Sequence, residues 1–491
     1  MKFRRIGIFV SGVIVGAMIA ASIGCLRWRS QKIVVREPAV PGESRLEYTP
    51  PPEPKFSAEF MEKYMPLLLD MITPRVVKVA DDIYVAMGYA MGNVTMVITD
   101  EGLVIIDTTE SEDAAKKIFA DFRKITDQPV RVIIYTHFHP DHNQGTRAFY
   151  SEGVQIIATR EFLNWIHGRD PELGNQHFRR SLDLLAGAVE PDYAFPLPVR
   201  TPYLSTGQAP EVMLPTLTFD EEYSFTLGGK RFELFHTRGE TEDHLAVWIP
   251  HRRALHVGDL YYASYPNLTG ILLEARPVRG WINSLTRFLE LQPEYLILGH
   301  TRYLKGADLI QEHLKNYREA IQYVHDETVR YINAGQSVDQ AVAEIQLPDH
   351  LAHLPYLQGL YGRVDWSIRG LYCDYAGWYD GKGTQLFPLP PQYRAREIVA
   401  LAGGADKILS RAIELQKQNE HQLTAELCDL VIAANPRDRL AHVVKAHSMQ
   451  YLAFAADNAL AIGSYRSAYA IHMKAAAQAS GQNDFNPSEV K

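Results

Sequence analysis

The strongest constraint in this chain is a short apolar run that ends in a histidine cluster. Val130–Tyr135 is interrupted only by Arg131, the pattern of a strand buried on both faces. It leads directly into Thr136-His137-Phe138-His139-Pro140-Asp141-His142. A loop at a strand's carboxyl end is where α/β proteins place ligands. Three imidazoles and one carboxylate within six positions would crowd their polar atoms unless something bound them. Zinc, a borderline Lewis acid, suits such a set; iron and manganese are the alternatives.

Around this loop, strands alternate with helices. Val76–Met87, Val94–Thr99 and Leu103–Asp107 are β-branched runs broken by Asp-Asp, Gly and Asp-Glu turn signals. Ser111–Ile125 has the periodicity of an amphipathic helix. Further strands are expected at 154–158, 223–226, 231–236, 245–249, 254–257 and 295–298. The expectation is an α/β body of two sheets sandwiched between helices. The stretch between Arg160 and Pro215 is irregular and suits a lid or pocket wall. From about Lys305 the pattern turns helical: 307–334, 337–345, 395–414, 422–434, 439–455 and 464–477. Three more strand ends carry residues of ligand type, in His236-Thr237-Arg238-Gly239-Glu240-Thr241-Glu242-Asp243-His244, Gly258-Asp259 and Gly299-His300.

The sequence HFHPDH after an apolar strand resembles the metal-binding signature of the metallo-β-lactamase superfamily, which implies a four-layer αββα fold. The resemblance implies two zinc ions. His137, His139 and Glu240 would hold the first, Glu240 standing where relatives usually carry histidine. Asp141, His142 and His300 would hold the second, with Asp259 bridging the two. Asp107 would orient a ligand from behind, as metal-binding histidines usually need. His236 and His244 match structural positions of the family.

Among the branches of that superfamily, the chain resembles the alkyl sulfatases, with Glu240 followed 19 residues later by Asp259. The helical tail is similar to their dimerisation domain, as are Tyr361-Gly362-Arg363-Val364, Ile368-Arg369-Gly370-Leu371-Tyr372 and Gly377-Trp378-Tyr379-Asp380-Gly381. The resemblance implies a homodimer that cleaves alkyl sulfate esters to alcohol and inorganic sulfate. Two metals lower the pKa of a bridging water, so a metal-bound hydroxide serves as nucleophile, held and oriented by Asp141 and Asp259. Arg276, Arg302 and Arg238 lie near the metal loops and are the candidates for gripping the sulfate, because guanidinium suits a tetrahedral anion. The alternative is another hydrolase of the same fold, acting on a lactone, thioester, β-lactam or phosphoester.

Composition excludes other classes. Among 491 residues, 58 acidic against 50 basic side chains give a net charge of −8, which lacks the basic footprint of a nucleic-acid binder. The three cysteines cannot build a disulfide scaffold or a cysteine zinc site. At the amino terminus, Lys2, Arg4 and Arg5 precede an apolar run from Ile6 to Leu26. That run reads as a signal peptide or membrane anchor, the only membrane contact expected, and implies an exported protein. Small residues before Cys25 resemble a bacterial lipoprotein signal. The expected division is anchor 1–29, proline-rich tether 30–56, catalytic domain 57–335, helical dimerisation domain 336–480 and flexible tail 481–491.

Overall fold

The computed structural model describes residues 46–480 apart from 53, 56, 59–61, 63–71, 169–211 and 270–275. The amino-terminal anchor, most of the expected lid and the 481–491 tail lie outside the described residues. Among the described residues, no helix is long and apolar enough to cross a membrane.

Two sheets form the body. The first runs in sequence order: β1 (Arg75–Ala80), β2 (Ile83–Met87), β3 (Val94–Thr99), β4 (Gly102–Ile106), β5 (Val130–Ile134), β6 (Gln155–Thr159) and β7 (Leu217–Phe219). It is antiparallel from β1 to β4 and parallel from β4 to β7. The second sheet is ordered β13-β12-β11-β10-β9-β8, from β8 (Glu222–Leu227), β9 (Lys230–His236), β10 (Leu245–Ile249), β11 (Ala254–His256), β12 (Tyr295–Ile297) and β13 (Leu304–Lys305). β11 and β12 are parallel.

The alternation of side chains explains the layers. Val97, Val104, Val132 and Ile134 on one sheet meet Phe232, Leu234, Val247 and Ile297 on the other in a shared core. The opposite face of the first sheet, with Met96, Ile105 and Ile133, buries against Ile118 and Phe122 of α1 (Glu112–Phe122). Ser111 caps α1, its side chain accepting from the Ala114 amide. The outer face of the second sheet, including Leu255 and Leu296, packs on Trp281 and Phe288 of α3 (Val278–Leu291) and on Leu314 of α4 (Ala307–Asn333). The short helix α2 (Arg160–Gly168) follows β6. The result is the expected αββα sandwich. The carboxyl ends of the parallel pairs β4–β5 and β11–β12 carry the Asp107, His137, Asp259 and His300 loops, and the 236–244 loop joins the antiparallel strands β9 and β10.

Beyond α4 the chain is helical: α5 (Val338–Glu344), α6 (Val364–Ala376), α7 (Pro391–Leu401), α8 (Ala405–Lys417), α9 (His421–Ala434), α10 (Arg439–Ala455) and α11 (Ala459–Ala479). The single helix expected over 395–414 is two, because Gly403 and Gly404 adopt φ of 85° and 108° and end α7. The core beneath the second sheet continues through Leu351, Ile368 and Leu371, so the expected boundary at 335–336 falls inside one apolar cluster. A separate cluster lines α8 to α10, and it includes Tyr48. Residues 46–52 are therefore not a free tether. Tyr48 is buried, and its hydroxyl donates to Gln416 Oε1 at 2.8 Å.

Candidate metal centre

Five strand ends converge at the rim. After β5, His137 and His139 bring their ring nitrogens to 2.9 Å, Nε2 to Nδ1. The helical turn Pro140–Asn143 then presents Asp141 and His142. Asp259 follows β11 and His300 follows β12. Two groups have ligand atoms within 4.8 Å of one another: His137, His139 and Asp259, and Asp141, His142 and His300. Asp259 Oδ2 touches both, at 4.0 Å from His137 Nε2, 3.4 Å from His142 Nε2 and 3.0 Å from His300 Nε2. Asp141 Oδ2 stands 3.3 Å from His300 Nε2 and 3.6 Å from His142 Nε2.

The surrounding hydrogen bonds fix which nitrogen of each ring carries its lone pair. Asp107 accepts from the Thr136 amide at 2.8 Å, from Thr136 Oγ1 at 2.9 Å and from His142 Nδ1 at 2.8 Å. Because Thr136 Oγ1 gives its proton to Asp107, it accepts from His137 Nδ1 at 3.0 Å. His300 Nδ1 donates to the Met91 carbonyl at 2.8 Å. Nε2 of His142 and His300 thus faces carboxylate oxygens, while Nε2 of His137 faces His139 Nδ1 with Asp259 Oδ2 4.0 Å away. Lone pairs facing lone pairs need a cation or protons between them. Buried His142 Nε2 and Asp259 Oδ1 have no hydrogen-bond partner among the described residues. This donor set of imidazoles and carboxylates fits two divalent ions.

The electrostatics agree. Burial alone would push the His142 and His300 imidazoles down, but the carboxylates of Asp259 and Asp141 raise His142 well above its ordinary value and His300 to about 9. Burial would likewise push the Asp259 carboxyl up, yet His300 and His142 hold it well below the usual carboxylate range. His137, buried and beside His142 and His139, is lowered well below its ordinary value.

The remaining expected residues separate. Asp107 sits behind His142 as the resemblance implied. His244 stacks on His137 with ring centroids 5.0 Å apart, and its Nε2 accepts from the Asp259 amide at 3.1 Å. His236 Nε2 donates to the Glu242 carbonyl at 2.6 Å. Both are structural. Glu240 is buried with Oε1 3.7 Å from His139 Nδ1, while its Oε2 accepts from Arg276 Nη1. Neither of the two close groups includes Glu240. Arg276 is itself buried, lowered to about 10 by that burial, and hydrogen-bonds Tyr361. Its Nη1 is engaged by Glu240, while its buried Nε has no hydrogen-bond partner among the described residues. Arg238 is exposed and pairs with Glu221 at 3.2 Å and Glu242 at 3.5 Å, and Arg302 is exposed at the rim.

Three contributors were not singled out from sequence. Glu110 is buried and accepts from the amides of Met91 at 2.8 Å and Gly92 at 3.3 Å, so it holds the loop whose carbonyl orients His300. Burial raises its carboxyl above the ordinary value. Asn93 Nδ2 donates to the carbonyls of Leu298 at 3.1 Å and Thr301 at 2.9 Å, bracing the His300 loop. Tyr262 lies beside His300, ring centroids 6.5 Å apart, and burial next to Asp259 keeps its hydroxyl protonated. Only the polar type of Glu110 and Asn93 near strand ends hinted at them.

Comparison with known proteins follows this geometry. Residues 87–300 match the metallo-beta-lactamase superfamily, and residues 337–474 match the family described as alkyl sulfatase dimerisation. The chain is 33% identical over 372 residues to a linear primary-alkylsulfatase of Pseudomonas sp., covering 74% of this chain and 70% of that protein. It is 26% identical over 409 residues to an alkyl/aryl-sulfatase of Saccharomyces cerevisiae, covering 80% of this chain and 62% of the yeast protein. The structure of a stereoselective inverting sec-alkylsulfatase from Pseudomonas sp. shares the fold, with TM-score 0.75 and 20% identity over 94% of this chain and 77% of that one. The chain belongs to the alkyl sulfatases of the metallo-β-lactamase superfamily, a family of hydrolases.

Proposed function

We propose that this protein hydrolyses alkyl sulfate esters to an alcohol and inorganic sulfate at a two-zinc centre. The observation that carries the reading is the pair of adjacent ligand groups, with Asp259 Oδ2 of one standing 3.4 Å from His142 and 3.0 Å from His300 of the other, in a chain 33% identical to a linear primary-alkylsulfatase. His137, His139 and Glu240 would hold one ion, with Arg276 fixing the Glu240 carboxylate from behind. Asp141, His142 and His300 would hold the other, and Asp259 lies close to both sets. Bound zinc supplies a water of near-neutral pKa and polarises the ester. The chain's own residues do the rest. Asp107, through His142, and Met91, through His300, keep the imidazole lone pairs directed inward. Asp141 and Asp259 orient the attacking water, and the low-dielectric rim strengthens each of these interactions. Arg302 and Arg238, both exposed near the site, guide the anionic ester toward it.

The protein works as a homodimer through its helical region. The division into a catalytic region 57–335 and a dimerisation region 336–480 is one of role, since the two share an apolar cluster. The amino-terminal segment exports the chain and provides its only membrane contact. The test is inorganic sulfate release from dodecyl sulfate by the zinc-loaded full chain, with Asp141→Ala as control. The expected outcome is release by the wild type and a loss of at least about 100-fold in the variant. No release from protein carrying two metals per chain, with turnover of a lactone, thioester or phosphodiester instead, would sink the sulfatase reading.

A further inference from the structure

Tyr262 is built into the rim without any use in holding the metal. It follows Asp259 by three residues, and its side chain is 6% exposed. The ring is fixed on three sides: His300 at 6.5 Å between centroids, Tyr361 at 5.3 Å and Trp281 at 6.4 Å. Its own amide donates to the Tyr317 hydroxyl at 3.3 Å, which sets the backbone. Yet the Tyr262 hydroxyl is buried and has no hydrogen-bond partner among the described residues. The adjacent Tyr261 shows the ordinary solution, with its hydroxyl on His313 Nδ1 at 2.6 Å. Leaving a buried hydroxyl unmade costs stability, so a persistent one marks a place where something else binds.

The surroundings say what that is. The hydroxyl stands where it feels the carboxylates of Asp259 and Asp141, the two residues that orient the nucleophile. The phenol is a fixed O–H donor held beside the ring of His300, one of the candidate metal-ligating side chains. The complementary group is an anionic oxygen with spare lone pairs. We infer that Tyr262 is a catalytic residue whose O–H donates a hydrogen bond to an oxygen of the substrate's sulfate group, an inference that rests on the sulfatase reading. The hydroxyl keeps its proton throughout, and no bond to Tyr262 is made or broken. Its donor strengthens as charge accumulates on that oxygen during cleavage, which is the differential binding that raises kcat.

The experiment compares Tyr262→Phe with wild type in the zinc-loaded full chain. The variant removes one oxygen that has no hydrogen-bond partner among the described residues, so folding and a metal content of two per chain are expected to persist. With dodecyl sulfate, kcat/KM falls by about 10- to 100-fold, the scale of one hydrogen bond to a charged group. In parallel, calorimetric titration with inorganic sulfate shows at least about tenfold weaker binding to the variant. Equal kcat/KM and equal sulfate affinity in the two proteins would overturn the inference, as would loss of metal in the variant, which would make Tyr262 a structural residue. The sulfate titration needs no turnover. If wild type binds sulfate through Tyr262 but releases none from alkyl sulfates, the sulfatase reading fails while the subsite stands.

Discussion

Gly299 shows how little room the centre leaves for side chains that do not coordinate. A Cβ there would come within 2.2 Å of Asp259 Oδ1, an oxygen of the central carboxylate, and 2.9 Å of His142 Cε1, the carbon beside its inward-facing Nε2. Gly299→Ala therefore displaces the shared carboxylate while leaving the sandwich core untouched. The expected outcome is a loss of about one metal per chain, read by elemental analysis, and at least a tenfold fall in activity with an unchanged circular dichroism spectrum. An alanine variant with two metals and full activity would show that Asp259 has slack the structure does not display. At this scale the HFHPDH cluster was legible because four polar groups sit in one loop, and Asp107, Asp259 and His300 because each ends an apolar strand. Glu110, Asn93 and Tyr262 were not, since their roles depend on chain that returns from far away. Asn93 braces Leu298 and Thr301, 205 and 208 residues on.

Strand pairing depends on a second polar centre at the opposite rim. Asp82, in the β1–β2 turn, accepts from Lys230 at the start of β9, from His251 Nε2 at 2.7 Å and from Arg252 Nε at 2.7 Å. It thereby staples the two sheets across their far edge. Burial alone would raise its carboxyl, but the hydrogen bonds from Lys230, His251 and Arg252 and the charge of Lys230 hold it down at about 2. A depressed folded-state pKa contributes stability that is fully present above the unfolded value near 3.8 and is lost as pH falls through about 2. Asp82→Asn should lower the thermal midpoint at pH 7 by a few degrees, corresponding to about 1–2 kcal/mol, with the gap to wild type shrinking below about pH 4. A constant gap across that range would mean that charge is not what the carboxylate contributes. The β-elements themselves were largely legible, because each is a short apolar run between turn residues. α3 was passed over despite burying Trp281 and Phe288, and β13 is only two residues long, too short to carry a pattern. The break between α7 and α8 rests on two glycines whose left-handed conformation a helical periodicity does not register.

Across the whole molecule, the helical region is wired into the catalytic rim. The segment Gln358–Gly362 crosses to the loop after β11, where Tyr265 N donates to Gln358 O at 2.8 Å and Gly362 N donates to Tyr265 O at 3.1 Å. Asn458, which caps α11, donates from Nδ2 to the carbonyls of Gly359 at 2.7 Å and Tyr361 at 2.9 Å. The same segment places Tyr361 on Arg276 and against Tyr262. Assembly through the helices and order at the metal rim therefore share one piece of backbone. Between α6 and α7 the chain is exposed throughout, with Phe387 93% and Leu389 71% accessible, side chains that a monomer in water has no reason to display. This stretch lies within the 337–474 match to the dimerisation family, and we expect it to contact a second copy. Substituting Asp for both Phe387 and Leu389 removes two buried apolar side chains from that contact, each worth about 1.5–3 kcal/mol when fully covered. The expected result is a shift from dimer to monomer by light scattering, with the helical content unchanged because neither side chain packs within its own subunit. If the variant remains dimeric at micromolar concentration, the contact lies elsewhere on the helices, and the exposed stretch serves some other purpose.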